Sequence, residues 1–180
     1  MRFTGRVITL ILLLSAFAPA QARRHDPLTT EEVDQLREQA QNPPERLKLW
    51  MKFARARMGA IDQLRGDPKL AKDRGQRIHD LLQDLASIMD EIDDNVENYA
   101  RDHEDIRKPL KLLVEMDSEF QVKLRAIKEG PEANSAEAQA YEFALQDAIE
   151  SVNGNADDAR QTLEEQNQLA KDKKLKKPVS

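Results

Sequence analysis

Three histidines, His25, His79 and His103, are the only imidazoles in the chain, and cysteine is absent. A carboxylate-bridged di-metal bundle uses Glu-x-x-His pairs, because three-residue spacing turns both ligands to one helix face. Gln76 stands three residues before His79 and Ala100 three before His103, so neither pair exists. Without cysteine there is no disulfide framework, no thiolate metal site, no thiol nucleophile and no attachment point for covalent haem. Beyond the N-terminal stretch the serines are Ser87, Ser118, Ser135, Ser151 and Ser180. None lies in a Gly-x-Ser-x-Gly elbow or a Ser-x-x-Lys pair. The six glycines are scattered singly, so no phosphate-cradling loop is expected. These patterns lead us to expect no catalytic residues, no metal site and no cofactor.

Carboxylates are the remaining chemistry. Asp90, Glu91, Asp93, Asp94 and Glu97 form an acidic run. A calcium loop converges such ligands by turning sharply at a glycine, whereas a helix fans them around its circumference. The run therefore reads as a solvated helix face. Asp117 differs, because the apolar repeat described below places it on an interior position. A buried carboxylate needs a partner or a raised pKa. The expected partners are a basic side chain of a neighbouring helix or Gln166, with Asp117 either fixing helix register or lying where the repeat drifts to the bundle's edge, and a binding-site role as the remaining reading. His79 reads as a partly buried helix residue and His103 as a solvated turn residue. His25 is expected, with Arg23 and Arg24, in a disordered N-terminus of the mature chain.

The punctuation that must position these residues is helical throughout. Thr29 precedes Glu32 by three, the spacing of a capping box, and opens a short helix to about Gln41. Asn42-Pro43-Pro44-Glu45 repeats that logic, with Asn42 as cap and prolines where amides lack partners anyway, and predicts a second helix to about Leu64. Gly66-Asp67-Pro68 ends it and starts the next, with Asp67 as cap. Gly130-Pro131 stops a later helix, and Asn134 with Glu137 caps the last, expected to reach about Asp172. No segment alternates as a strand does.

Apolar residues recur every seven positions from Ala71 through Ile78, Leu85, Ile92, Tyr99, Ile106, Leu113, Phe120 and Ile127. Leu82, Met89, Val96, His103, Leu110, Asp117 and Leu124 are their companions. The last helix continues the pattern with Leu145, Ile149, Val152, Ala156, Ala159, Leu163 and Ala170, and Gln166 is its polar exception. Such spacing marks seams of left-handed helix packing, and flanking residues such as Leu112, Phe143 and Leu169 widen the stripe to that of a bundle. Asn153-Gly154-Asn155 is read as a close helix–helix approach. The repeat runs unbroken through 101–109, which leaves two topologies. One is a hairpin turning at Arg101–Asp105, giving an elongated antiparallel bundle of four long helices plus the short N-terminal one. The other is a single helix 68–129, about 93 Å long and kinked at Pro109, packed against two shorter helices.

The first 22 residues read as a secretory signal. Arg2 and Arg6 precede the apolar Val7–Phe17 stretch, and small residues close it with cleavage expected after Ala22. Residues 23–28 are expected to be disordered, 29–172 to form the bundle and 173–180 to be a basic disordered tail. With 28 basic against 33 acidic residues, and five lysines crowded at Lys171–Lys177, the body is acidic, which argues against nucleic acid as a partner. Absence of disulfides favours a periplasmic or secreted bacterial setting over the endoplasmic reticulum route. In general build the chain looks like small periplasmic helical-hairpin chaperones, but Leu28-Thr29-Thr30-Glu31-Glu32 falls short of their Leu-Thr-x-x-Gln signature, and no family is assigned. The expectation is an exported, non-catalytic protein acting through contact with a protein partner or a second copy of itself, with no transmembrane segment after cleavage. The alternative is a small-ligand or metal-binding bundle.

Overall fold

A computed structural model describes residues 26–175 and contains helices without strands among them. The signal segment, His25 and residues 176–180 lie outside the described residues. The helices are α1 (Thr30–Glu38), α2 (Pro43–Gly66), α3 (Arg74–Arg101), α4 (Arg107–Glu129), α5 (Ala136–Gln139) and α6 (Glu142–Leu175). A turn at 102–106 separates α3 from α4, so the chain takes the hairpin topology. His103 makes that turn with φ 61°, a left-handed conformation that ends a helix cleanly. Pro109 sits in the first turn of α4, where its missing amide has no helical partner to lose.

Consecutive long helices alternate in direction. α2 and α3 run antiparallel, with Arg57 Nε 3.7 Å from Asp84 Oδ2 near their middle. α4 and α6 are also antiparallel, since Gln121 pairs with Asn153 and Lys128 with Gln146. α3 and α6 pack side by side with their numbering rising together, as Gly75 meets Ala140 and Asn155 meets Met89. α2 and α4 likewise run parallel, joined by Arg55–Glu119 and Lys123–Asp62 ion pairs at 2.6 and 2.8 Å. α6, with 34 residues, is about 51 Å long and is the common wall for α3 and α4.

The seven-residue repeat is the core. Ile78, Leu82, Leu85, Met89, Ile92, Val96, Ile106, Leu110, Leu113, Phe120, Leu124 and Ile127 are all buried. From α6 come Leu145, Val152, Ala156 and Ala159, and from α2 Trp50, Phe53, Met58 and Ile61. Ala71 and His103, at the two ends of α3, are the repeat positions left exposed. Of the expected flanking residues, Ile88 is buried and Leu81 and Val114 pack against the core, whereas Leu112, Phe143 and Leu169 lie exposed on the outer side.

Helix boundaries depart from the sequence pattern in four places. Thr29 and Glu32 form the expected capping box, but Asn42 makes no side-chain cap. Part of the reason lies in the following residues: Pro44, at the second helical position, removes one of the two amides that a cap would serve. Asp67 does accept from the Lys69 amide at 2.9 Å, yet it caps only a 3₁₀ turn over Pro68–Leu70. Asp73, at φ 52°, then interrupts, and α3 begins at Arg74. Ser135, not Asn134, caps the next segment by accepting from the Ala138 amide at 3.0 Å. Glu137 is instead drawn away to Arg74, 2.6 and 2.9 Å distant, so the short α5 docks on the start of α3. Gly75 permits this docking, because a Cβ there would lie 3.1 Å from the Glu137 carbonyl oxygen. The main helix α6 starts only at Glu142 and continues to Leu175, three residues past the expected end.

Residues 26–28, expected to be disordered, are tied down. Leu28 packs on the core, and the Pro27 carbonyl accepts from Arg57 Nη2.

Candidate functional site

Asp117 has no exposed surface, and neither of its carboxyl oxygens has a hydrogen-bond partner. α4 places it there by strict repetition: Leu113, Met116, Phe120 and Leu124 occupy the same face and are buried with it. The Gln121–Asn153 bond sets the register against α6 and puts Asp117, one turn earlier, beside the turn that carries Asn155 to Ala159. Asn155 is also buried; its Nδ2 donates to the Met89 carbonyl of α3 at 3.0 Å, while its Oδ1 has no partner. A polar layer thus crosses an otherwise apolar core.

Burial pushes the Asp117 carboxyl up to about 7. Arg160 of α6 and Arg55 of α2 pull it down, and Asp93 of α3 adds to the upward shift. The expected partner is not delivered. Gln166 faces the 102–106 turn, where its Oε1 accepts from the Ile106 amide and its Nε2 donates to the Glu104 carbonyl. Arg55 is held by Glu119 at 2.6 Å and Arg160 by Asp157 at 3.2 Å. A carboxyl this deeply buried and without a protein donor favours its protonated form. What this arrangement can do is store one proton.

The other sequence-selected residues are not brought together. His79 lies on the rim of α3, where Nδ1 is 3.2 Å from Asp80 Oδ1 and 3.4 Å from Gln76 Nε2. It is far along the bundle from Asp117, near the start of α3. Asp90, Glu91, Asp94 and Glu97 are exposed and fan around α3. Asp93 is half-buried, and desolvation followed by the nearby Asp158 raises its carboxyl pKa. Among the described residues no three metal-ligating side chains converge. Asn153-Gly154-Asn155 does not mark a close approach at its glycine. Gly154 faces solvent with nothing within 4 Å of an added Cβ, while its neighbour Asn155 turns inward.

Two features were not read from the sequence. Arg57 is a buried cation that bonds both Glu32 oxygens, at 2.5 and 2.6 Å, and the Pro27 carbonyl. Nothing in the spacing of α2 signals this, because its partners lie 25 and 30 residues away. The second is a groove of about 350 Å³ where α4, α5 and α6 meet, lined by Ile127, Ala138, Tyr141 and Leu145. Phe143 stands at its edge with 86% of its surface exposed.

The fold and its interior define the chain as an all-α helical bundle with a buried, protonatable polar layer. Compared with known proteins, it matches no family model, no curated protein and no solved structure. No described helix is long and apolar enough to cross a membrane.

Proposed function

We propose that this chain is an exported, non-catalytic helical bundle that works by contact with another protein, as a scaffold, adaptor or chaperone-like factor of the cell envelope. One observation carries the reading: Phe143, a large apolar side chain, is held in water at the rim of a groove whose apolar floor is edged by Lys128, Asn134 and Gln146. Among the described residues the bundle buries nearly every other aromatic and leaves this one out, and exposed aromatics beside a groove are the common anchors of protein interfaces. The signal-like pattern of residues 1–22 supplies the envelope part of the proposal.

A photocrosslinking amino acid placed at position 143 in the native host tests it. One discrete protein adduct at 143, with none from the exposed Val122 on α4, supports the contact role. Equal labelling from both positions, or none, removes the support. The groove volume also falls in the range that takes a small molecule, which favours the ligand-binding alternative. Native mass spectrometry of protein purified from that host distinguishes the two, since a stoichiometric small-molecule adduct is expected only for the second.

A further inference from the structure

The α4 seam closes around a carboxyl that meets neither solvent nor donor. Around Asp117 stand Arg55 from α2, Asp93 from α3 and Arg160 from α6. Both arginines are engaged outward, with Glu119 and Asp157, at the bundle surface. Asp93 repels a negative charge, and its own neighbours Asp90, Asp94, Glu97 and Asp158 deepen that repulsion. In the same layer the Asn155 carbonyl oxygen is without a donor. The closed arrangement therefore suits an uncharged Asp117 and offers nothing to a charged one.

We propose that Asp117 is a proton-operated latch of the bundle. With its proton, α4 closes on α6 and α2. When the proton leaves to water, the seam loosens until the carboxylate reaches solvent or captures Arg55 or Arg160 from its surface partner. This goes beyond the contact role, for it makes the packing of α4 respond to the pH of the compartment.

The sign follows from linkage. Folded Asp117 holds its proton up to about pH 7, whereas its ordinary value is 3.8. The folded state therefore binds a proton that the unfolded chain has already released. The stability this group contributes is complete below its unfolded value, falls as pH rises toward the folded value and levels off above it. From this group alone the folding equilibrium constant drops by up to about tenfold per pH unit between pH 4 and 7.

Denaturant unfolding of the purified protein and of Asp117→Asn, at pH 5, 6, 7 and 8, reads the latch directly. The ratio of folding constants, variant over native sequence, is expected to rise by up to about tenfold per unit from pH 5 to 7 and then flatten. A ratio that stays constant overturns the proposal. Asp93→Asn is expected to weaken the pH dependence without abolishing it, because Asp93 is itself raised and adds to the shift of Asp117; its complete loss there would assign the effect to Asp93 instead. Should Asp117→Asn fail to fold, a carboxyl carbon-13 titration of the unmutated protein decides: a midpoint near 7 supports the latch and one near 4 overturns it. Hydrogen exchange separates a latch from a merely buried acid. After correction for intrinsic rates, amides 113–121 are expected to open at least about tenfold faster at pH 8 than at pH 5.5, and equal opening sinks the conformational part of the claim.

Discussion

Gln166, nine residues before the described end of α6, caps a helix to which it does not belong. Its Oε1 accepts from the buried Ile106 amide at 3.2 Å and its Nε2 donates to the Glu104 carbonyl at 2.9 Å. Ile106 is the N-cap of α4, and no side chain within α4 serves that end. One amide from α6 therefore holds the turn on which the hairpin topology depends. Gln166→Leu would complete the apolar repeat but orphan the buried Ile106 amide, while the exposed Glu104 carbonyl turns to water. An unsatisfied buried group costs about 1–3 kcal/mol, more than a half-buried leucine returns. We expect a net loss of about 1 kcal/mol in urea denaturation. A gain in stability would show that the seam prefers leucine and that the cap contributes nothing.

Arg57 joins three pieces of chain. It bonds Glu32 in α1 and the Pro27 carbonyl, and it lies 3.7 Å from Asp84 in α3, with only 11% of its side chain exposed. Removing one partner of a nearly buried pair leaves the other charge unsatisfied. Arg57→Met is expected to cost about 2–4 kcal/mol and to free α1, read as new protease cleavage within residues 26–38. Glu32→Gln should cost less, because an amide can still accept from Arg57.

The same pair has an acid limb. Burial opposes ionisation of Glu32, but its bonds to Arg57 and to the Thr29 amide bring the carboxyl below its ordinary 4.5. A carboxyl lowered on folding contributes stability above its unfolded value and loses it as pH falls through the folded one. Protease sensitivity of 26–38 should accordingly rise as the pH falls below 4.5 in the native sequence. In Glu32→Gln it should already be raised at pH 7 and change little with acid.

Much of this architecture was legible because it is periodic. Ile78 to Ile127 recur every seven residues and all are buried apart from Tyr99, which is half-buried beside the turn. The turn itself was harder, since Tyr99, His103 and Ile106 keep the helical phase while the backbone leaves it at His103. What stayed hidden depends on distant partners. Gln166 looked like a misfit in a heptad and Glu137 like a cap, and Arg57 drew no reading at all. Each is defined by a group 25 to 63 residues away, and spacing along one helix carries no trace of that. Asp117 was legible as an interior carboxyl, but not that its expected partners are all engaged elsewhere.

Two phenylalanines test the assignment of inside and outside. Phe120 is 1% exposed and Phe143 86%. Truncating a buried aromatic costs about 3–5 kcal/mol, whereas a surface truncation stays within about 0.5 kcal/mol. Phe120→Ala and Phe143→Ala should divide along that line in thermal or denaturant melts. A large loss for Phe143→Ala in the isolated protein would mean that it packs internally and is not free for a partner.

Two glycines inside helices should respond oppositely to the same added methyl group. Gly154 lies in the middle of α6 with nothing within 4 Å of a new Cβ. Alanine there removes the entropic penalty of a helical glycine without a clash, and Gly154→Ala is expected to stabilise by about 0.5–1 kcal/mol. Gly75 lies in the first turn of α3, where a Cβ would meet the Glu137 carbonyl oxygen at 3.1 Å and Ala140 Cβ at 3.2 Å. These are the docked segment around α5, which the Arg74–Glu137 pair holds in place. The propensity gain is then offset by displacing that segment, so Gly75→Ala should yield no stabilisation and should weaken the Arg74–Glu137 contact. Thermal melts of the two variants check the opposition. An equal gain at both positions would show that α5 yields freely, and that its docking on α3 does not constrain the start of α6.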